Sequence, residues 1–342
     1  MAAPWRLFPV PRALPVPSAN DHGVLKLFLY RSPMNEKFAG LREKTFKLFV
    51  DVLARPIQTA LRRFPWPVKR RILKAPPLPA THGDCSVIVM TTKRDWLDAL
   101  WSAYSWQYFA KALSSPTIVV DDEVTEEMRR QAHRILPGVT VMPAEAYLEA
   151  SEAALPRGRR FFRSDRFGRK LALVLVSSNL RAVVFSDSDI LLFKEPTEIL
   201  SHITMHPDTA LYNVGGGGTF WNAPEIMRLM SRENISPMPG FNSGLMYVPK
   251  SGLDMELCAR CLEAQEEGKE HFFTEQSIFN ALLSSAGARP LNPTAYAVSD
   301  KGMYFYQRDV DYADLTARHF TGVVRHKMYT AGMPLLARKF HC

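Results

Sequence analysis

The sequence predicts an α/β fold with a mostly parallel central sheet, preceded by a basic helical extension. From Cys85 onward, short apolar runs typical of strands alternate with longer segments of helical periodicity. The run Ala-Val-Val-Phe at 182–185 is apolar throughout, as strands covered on both faces are. The chain has 342 residues, 46% of them hydrophobic and 23% charged, which is enough for a sizeable core.

The predicted elements follow the order expected of successive strand-helix units. Strands are predicted at 86–92, 116–121, 139–142, 182–186, 211–214 and 244–248. Helices are predicted at 95–113, 125–136, 169–180, 257–268 and 272–283. Because the carboxyl ends of parallel strands meet at one edge of a sheet, ligands are expected at that edge.

Two carboxylates, Asp187 and Asp189, interrupt the apolar run that contains the strand at 182–186. Charged side chains do not enter such a core without a partner. A hard divalent cation with oxygen ligands is the simplest partner for two acids at this spacing. The pattern therefore indicates a metal site that handles phosphates, although a solvated turn would also accommodate the two acids.

The basic character of the chain belongs to its first 80 residues, which we predict as an extension separate from a catalytic domain at 81–342. Residues 1–80 hold 15 Lys and Arg and 4 Asp and Glu, whereas the rest of the chain has a net charge of −2. A helix is predicted at 35–55, with Phe38, Leu48 and Phe49 on one face. A shorter helix should end before Pro65, and a proline-rich linker follows at 75–79.

This charge distribution argues against nucleic-acid binding by the main domain. The amphipathic helix and basic cluster at 35–74 predict contact with an anionic membrane surface, the alternative being an arm packed on the domain. No apolar run reaches the length of a membrane span, and prolines replace the apolar core of an export signal. We therefore expect a soluble cytoplasmic protein, peripheral on the inner face of a membrane.

Cys258 and Cys261 form a Cys-x-x-Cys pair inside a helical pattern. A structural zinc site needs a second Cys or His pair, which the neighbouring sequence lacks. We interpret both residues as buried helix thiols, and the use of only four cysteines fits a reducing compartment.

Further motifs follow Asp187 and Asp189 in a fixed order. They are Phe-Asn-Ser-Gly at 241–244, Glu-Gln at 275–276 and His-Phe-Thr-Gly at 319–322. Over residues 85–330 this series resembles the glycogenin-like and bacterial galactosyltransferase-like family 8 glycosyltransferases. The resemblance implies a GT-A-like nucleotide-sugar-binding fold and transfer of a hexose, with retention, from a UDP-sugar to a glycan or lipid-linked acceptor. Polysaccharide biosynthesis would be its setting.

The resemblance also implies roles for individual residues. Asp187, Asp189 and His319 would bind the metal, Mn²⁺ or Mg²⁺, with imidazole favouring Mn²⁺. The residues implied in nucleotide binding are Thr91, Thr92, Trp96, Lys170, Asp187, Arg325 and Lys327. Those implied in catalysis are Asn242, Glu275 and Gln276. The neutral amides of Asn242 and Gln276 can hydrogen-bond sugar hydroxyls.

The sequence departs from the family pattern at two places. The family's Lys-Pro-Trp segment is replaced by Arg325-His326-Lys327, so Arg325 takes the lysine position. The usual Asp-Gln is Glu275-Gln276, with a side chain one methylene longer. The tetraglycine run at 215–218 lacks the Gly-Lys-Ser/Thr of a phosphate loop and indicates either a close backbone approach or a turn.

Two other functions stay open at the level of sequence. A phosphohydrolase of the haloacid dehalogenase type also has Asp-x-Asp after an apolar strand, but on the first strand of its domain. A non-catalytic lipid-surface adaptor with a nucleotide-sugar fold is the second alternative. The haloacid dehalogenase alternative leaves the motifs at 275–276 and 319 unexplained, and the intact Asp187, Asp189 and His319 argue against the adaptor.

Overall fold

The structure is a computed structural model of the whole chain. The residues it describes are 55–64, 66–215, 223–250, 252–265 and 273–342. A compact unit extends from Ala54 to Cys342. The predicted helix at 35–55 lies almost entirely outside the described residues, as does the tetraglycine run beyond Gly215.

Ten strands occur in the described residues. They are β1 (Ser86–Thr91), β2 (Ser114–Val120), β3 (Thr140–Pro143), β4 (Val183–Asp187), β5 (Ile190–Leu192), β6 (Leu211–Val214), β7 (Phe241–Val248), β8 (Arg289–Pro290), β9 (Tyr296–Val298) and β10 (Ala317–His319).

Eight α-helices precede β6 in the described residues. They are α1 (Arg55–Arg63), α2 (Val68–Arg71), α3 (Trp96–Phe109), α4 (Glu126–Ile135), α5 (Glu145–Ala154), α6 (Arg159–Ser164), α7 (Arg166–Leu180) and α8 (Thr197–Met205). The later helices are α9 (Pro224–Arg232), α10 (Met255–Ala264), α11 (Thr274–Ser285), α12 (Arg325–Lys327) and α13 (Met333–Lys339), with a π-helical turn at Met328–Gly332.

The central sheet has seven strands in the order β3-β2-β1-β4-β7-β6-β8. The first four are mutually parallel, β7 is antiparallel to both of its neighbours, and β8 runs parallel to β6. The prediction of an α/β fold with a mostly parallel central sheet is thus confirmed. The order of strands along the chain reverses between β1 and β4, and open α/β sheets bind their ligands outside the carboxyl ends at such a point.

A second sheet has the strand order β5-β10-β9. Two residues separate the end of β4 from the start of β5. β10 is antiparallel to β5, with His319 opposite Ile190. This register brings the end of β10 to the turn that carries Asp189, although the two segments are far apart in sequence. The pairing thus brings His319 to the end of β4.

The strand β4 is covered on both faces, as its apolar sequence predicts. Val183, Val184 and Phe185 have no exposed surface, and they belong to two hydrophobic clusters on opposite sides of the sheet. The helix α7 contributes to one cluster and α3 to the other. The backbone at Asp187 is therefore held by a rigid, buried strand.

The segment that follows α1 packs on the sheet domain. The indole of Trp101 donates a hydrogen bond to the backbone carbonyl of Lys69 at 3.0 Å, and the Tyr104 hydroxyl donates to that of Pro76 at 2.8 Å. Ile72 is completely buried. This segment therefore belongs to the compact unit that begins at Ala54, and the division of the chain into two functional parts at residue 80 stays a prediction.

The helix α1 ends before Pro65, as predicted from the sequence. None of the helices within the described residues has the length and apolar character of a membrane span.

Candidate active site

A cleft of about 1290 Å³ lies at the carboxyl ends of β1, β2 and β4. Its polar lining comes from strand ends, from the first turn of α11 and from the segment after β10. The N-terminal segment closes one side with Phe64, Trp66, Lys69 and Arg70. The cleft therefore lies at the edge of the sheet where the sequence predicts a ligand.

Asp187, Asp189 and His319 converge on one point of this cleft. One candidate ligand atom from each residue lies within 4.8 Å of the others. Nε2 of His319 is 3.2 Å from Oδ1 of Asp189 and 3.7 Å from Oδ2 of Asp187. The three residues predicted as metal ligands are therefore neighbours in space.

The orientation of the His319 ring is fixed from behind by the Phe-Asn-Ser-Gly motif. Oδ1 of Asn242 accepts a hydrogen bond from the backbone N–H of Gly244 at 3.0 Å, which identifies this atom as the amide oxygen. Nδ1 of His319 lies 3.0 Å from the same oxygen and donates to it. This contact would keep a proton on Nδ1 and leave the lone pair of Nε2 for a cation bound between the histidine and the two carboxylates.

The residues fit a divalent cation. Two carboxylates and an imidazole form a mixed oxygen and nitrogen donor set that suits Mn²⁺. A hydrogen bond from the second ring nitrogen of a ligating histidine is the usual outer support of a metal site, and Asn242 accepts it here. Asp187, Asp189 and His319 could therefore hold such an ion.

Asp189 is buried against a guanidinium group. Nη1 of Arg325 lies 2.6 Å from Oδ2 of Asp189. Burial alone would raise the pKa of Asp189, but the charges of Arg325 and His319 outweigh burial and hold it below its ordinary value. Asp189 is therefore ionised at neutral pH, as a metal ligand must be.

Lys170 lies at the base of the cleft among acidic and hydroxyl groups. Its Nζ is 3.3 Å from Asp187, 3.2 Å from Glu275 and 3.1 Å from the Ser243 hydroxyl. Burial would lower the pKa of Lys170, but the two carboxylates raise it above its ordinary value. The ammonium therefore supports Asp187 and Glu275. Lys170 also lines the cleft, and its predicted role in nucleotide binding stays a prediction.

Glu275 and Gln276 line the cleft from the first turn of α11. Burial raises the pKa of Glu275, and the ammonium of Lys170 opposes that effect only in part. Glu275 is held by Lys170 and Ser243, and the catalytic roles of Glu275 and Gln276 stay predictions.

The same cleft is lined at the ends of the adjacent strands β1 and β2 by Thr91, Thr92 and Asp121. Nη1 of Arg169 lies 2.8 Å from a carboxylate oxygen of Asp121. Burial raises the pKa of Asp121 above its ordinary value, although Arg169 opposes the shift. These strand ends therefore lie together, and the nucleotide binding predicted for Thr91 and Thr92 stays a prediction.

The structure corrects the placement of Trp96. This residue opens α3 and points into the core, where it is only 6% exposed, and its indole donates to Oε1 of Gln131 at 2.8 Å. The cleft is lined by its neighbours Asp95 and Leu97. The helix begins one residue later than predicted, and Trp96 fills the space between α3 and α4.

The structure also corrects Lys327. Its Nζ donates to the backbone carbonyls of Gln307 at 2.6 Å and Phe305 at 3.3 Å, and it does not line the cleft. Burial lowers the pKa of Lys327, consistent with its turned-in position. Arg325, by contrast, lines the cleft.

Three residues of the site were not predicted from the sequence: Lys69, Asp98 and Tyr329. Asp98 is completely buried, and its carboxylate contacts both Lys69 and Tyr329. A signal was available, because Asp98 is the lone charged residue in the α3 sequence WLDALWSAYSWQYF. An isolated acid in an apolar helix indicates a buried partner.

Among known proteins, similarity to this chain is found only with solved structures. No family model matches the chain, and no curated sequence does. The chain is similar to the apo structure of the bifunctional glycosyltransferase WbbM, with 14% identity, a TM-score of 0.45, and coverage of 77% of this chain and 52% of that one. It thus spans about half of the WbbM chain.

Two further similar structures are smaller. Mouse xyloside xylosyltransferase 1 shows 15% identity and a TM-score of 0.44, with 70% of this chain and 98% of that chain covered. The galactosyltransferase LgtC, solved with donor and acceptor sugar analogs, shows 13% identity and a TM-score of 0.44, with 75% and 99% covered. The chain is thus similar to structures of glycosyltransferases.

Proposed function

We propose that this protein is a metal-dependent glycosyltransferase of the GT-A type that moves a hexose from a nucleoside-diphosphate sugar to an acceptor. The observation that carries the proposal is the convergence of Asp187, Asp189 and His319 at the carboxyl ends of the strands. The sequence motifs at 241–244, 275–276 and 319–322 support it, because all of them meet in one cleft.

The chemistry of the cleft fits the departure of a diphosphate. A divalent cation supplies electrostatic stabilisation for charge that develops on phosphate oxygens. Asp187, Asp189 and His319 would hold that ion, and the guanidinium of Arg325 adds positive charge beside them. Such a site stabilises a leaving group without moving a proton to it.

The neutral amides of Asn242 and Gln276 are proposed to face the sugar. Both line the cleft, and an amide can hydrogen-bond hydroxyl groups without adding a charge beside a positively polarised anomeric carbon. The oxygen of Asn242 binds Gly244 and His319. We assign the direct sugar contact to Gln276 because the Glu-Gln motif resembles the catalytic Asp-Gln of the family and lines the cleft. Retention of configuration and a UDP-hexose donor are part of the proposal by resemblance of the motifs.

The strand ends at Thr91, Thr92 and Asp121 are proposed to receive the nucleotide base and ribose. They are adjacent through the parallel pairing of β1 and β2, and they lie beside the end of β4. The acceptor is proposed to be a glycan or a lipid-linked sugar. A cleft of about 1290 Å³ leaves space for it, since one ligand commonly occupies about 300–1,000 Å³.

The proposal is tested by screening nucleotide sugars with the full-length protein. Release of nucleoside diphosphate is measured in Mn²⁺, in Mg²⁺ and in chelator, for the parent and for Asp187→Asn. The matched control is Asp84→Asn, which alters an exposed acid just before β1, at the opposite end of the strand from the cleft. We expect turnover that needs the metal, that Asp187→Asn abolishes and that Asp84→Asn leaves unchanged.

Two results would contradict the proposal. The first is hydrolysis of simple phosphate esters with no turnover of any nucleotide sugar, which favours a phosphohydrolase. The second is turnover of a nucleotide sugar that is equal in chelator and in metal, because the site would then have no role for the cation that its donor set fits.

A further inference from the structure

Asp98 is a buried carboxylate that contacts two cationic side chains and a hydroxyl group. Nζ of Lys69 lies 2.9 Å from its Oδ1, the Tyr329 hydroxyl donates to its Oδ2 at 2.8 Å, and Nη2 of Arg325 lies 3.2 Å from the same oxygen. The Asp98 side chain has no exposed surface. An ionised group this deep persists only when its partners are held in place, so the cluster is a fixed arrangement.

Arg325 connects this cluster to the candidate metal ligands. While Nη2 contacts Asp98, Nη1 lies 2.6 Å from Oδ2 of Asp189. The other oxygen of the same carboxylate, Oδ1, lies 3.2 Å from Nε2 of His319. The two oxygens of Asp189 therefore have different partners, one a guanidinium and the other the imidazole with which it would share a cation.

The geometry of Asp189 depends on where the guanidinium is held. An arginine side chain has many rotamers, and a bond to Asp189 alone would let the pair rotate together. The other terminal nitrogen of Arg325, Nη2, contacts Asp98 at 3.2 Å and also lies 3.6 Å from Oδ2 of Asp95, so the guanidinium is restrained through both terminal nitrogens. Tyr329 restrains the group further, because its hydroxyl accepts from Nε of Arg325 at 3.3 Å.

The N-terminal segment completes the support. Lys69 lies on α2, and its ammonium also stands 4.9 Å from the centre of the Tyr329 ring. Lys69 and Arg325 together balance the charges of Asp98 and Asp189. The segment before the sheet therefore takes part in the electrostatics of the cleft.

We propose that Asp98 is a positioning residue for the metal site. It holds Arg325 against Oδ2 of Asp189, so that Oδ1 is presented towards Nε2 of His319. This inference rests on the metal-binding part of the proposed function and deepens it, because it names the groups that orient a ligand. Outer partners of this kind commonly contribute about 10- to 100-fold to metal affinity.

The test measures binding of Mn²⁺ alone to the full-length protein, by titration calorimetry or by electron paramagnetic resonance of the free ion. We expect Asp98→Asn to weaken Mn²⁺ binding about 10-fold or more. The matched control is Glu233→Gln, which removes the acid of the Arg260–Glu233 pair, a 2.7 Å contact at the start of the loop after α9. This control should bind Mn²⁺ as the parent does.

A double-mutant cycle separates positioning from a loss of stability. In the Arg325→Gln background, Asp98 has no guanidinium to hold, so adding Asp98→Asn should weaken Mn²⁺ binding no further. Lys69→Met, which leaves the Asp98–Arg325 contact in place, should weaken binding less than Asp98→Asn. Thermal unfolding without metal is recorded for each variant, so that affinities are compared among folded proteins.

Three outcomes overturn the inference: parent-like Mn²⁺ affinity in Asp98→Asn, an additional loss of affinity in the double variant, or no Mn²⁺ binding by the parent. Turnover of nucleotide sugars by the parent tests the proposed function separately from Mn²⁺ binding. If Mn²⁺ binding behaves as expected but the parent turns over no nucleotide sugar, the positioning role stands and the transferase function fails. If the parent is an active transferase and Asp98→Asn binds Mn²⁺ normally, only the positioning role fails.

Discussion

Gly244 and His319 are in such close contact that a side chain on Gly244 would collide with the imidazole. A Cβ at Gly244 would lie 2.2 Å from Cε1 and 2.6 Å from Nδ1 of His319. The glycine of the Phe-Asn-Ser-Gly motif thus leaves room for the histidine of the later motif, and Asn242 of the same strand supplies the amide oxygen that binds Nδ1.

We predict that Gly244→Ala displaces the His319 ring and weakens Mn²⁺ binding about 10-fold or more, as loss of an oriented ligand does. The substitution lies inside β7, where an alanine itself is tolerated, so the fold should persist. Titration with Mn²⁺ and circular dichroism provide the measurements. The control is Gly287→Ala, a glycine outside the cleft at which the added carbon would have nothing within 4 Å. Ala223→Gly is not used as the control because Ala223 is buried.

The Gly287 control carries its own backbone cost, because its φ is +66°. It should therefore lose some stability while keeping the Mn²⁺ affinity of the parent. Parent-like affinity in Gly244→Ala would show that the contact with His319 has no part in metal binding.

Asp189→Ala is predicted to remove most transfer activity while the protein stays folded. The substitution deletes a proposed ligand at a strand end, and the loss of leaving-group stabilisation should cost at least ~100-fold in kcat. The guanidinium of Arg325 keeps its contact with Asp98, so it is not left unpaired. Steady-state release of nucleoside diphosphate measures the effect, and near-normal turnover by the variant would contradict the proposed mechanism.

Much of this site could be predicted because its charged residues interrupt an otherwise apolar stretch of sequence. Asp187 and Asp189 stand out against an apolar strand, and β4 is buried as that sequence requires. The convergence of His319 with them could not be derived from periodicity, because it depends on the register of the three-residue strand β10 against β5. Strands this short carry too few residues to show a period of two.

The two misplaced residues show where local reasoning fails. Trp96 and Lys327 each have a sequence position that fits a ligand contact, but the direction of a side chain depends on what packs beside it. Gln131 on α4 provides a partner for the Trp96 indole, and backbone carbonyls at 305 and 307 provide partners for Lys327. Neither partner lies near these residues in the sequence, so tertiary contacts decided both orientations.

The position of Trp96 leads to a prediction that separates stability from binding. Trp96→Ala should lower the free energy of unfolding by about 3–5 kcal/mol, as for other buried aromatic side chains. The folded form of this variant should bind a nucleoside diphosphate, in the presence of Mn²⁺, as tightly as the parent protein does. Denaturant unfolding and calorimetry at low temperature measure the two quantities. A stable variant with much weaker nucleotide binding would instead restore the nucleobase contact.

The cysteines should differ in reactivity according to burial. Burial raises the pKa of Cys85 and Cys261 to about 12 and that of Cys258 still further, whereas Cys342 is only half-buried. Burial also raises the pKa of Cys342. Because the thiolate is the reactive form and Cys342 is the least buried of the four, it should be the first cysteine to react with a thiol reagent at pH 8. Mass spectrometry after brief labelling identifies the modified residue. Rapid labelling of Cys258 or Cys261 would contradict their role as buried helix thiols.

The last prediction concerns the proposed peripheral contact of residues 35–74 with an anionic membrane. Residues 31–74 carry 12 Lys and Arg against 3 Asp and Glu. Within the described part of this segment, Lys69 is paired with Asp98 and Arg71 donates to the backbone carbonyl of Cys342, whereas Arg70 and Lys74 are exposed. Deleting residues 1–80 would therefore damage the cleft as well as the proposed anchor.

A deletion of residues 1–54 tests the anchor while it keeps Lys69. We expect the full chain to sediment with vesicles that contain phosphatidylserine, and the shortened chain to do so much less, since each basic residue near an anionic surface contributes ~1 kcal/mol. Binding should fall as salt is raised, because the charges are screened over about 8–10 Å at ordinary ionic strength. Vesicles of neutral phosphatidylcholine are the control. Equal sedimentation of the two forms on anionic vesicles would contradict the anchor and favour an N-terminal arm that packs on the protein itself.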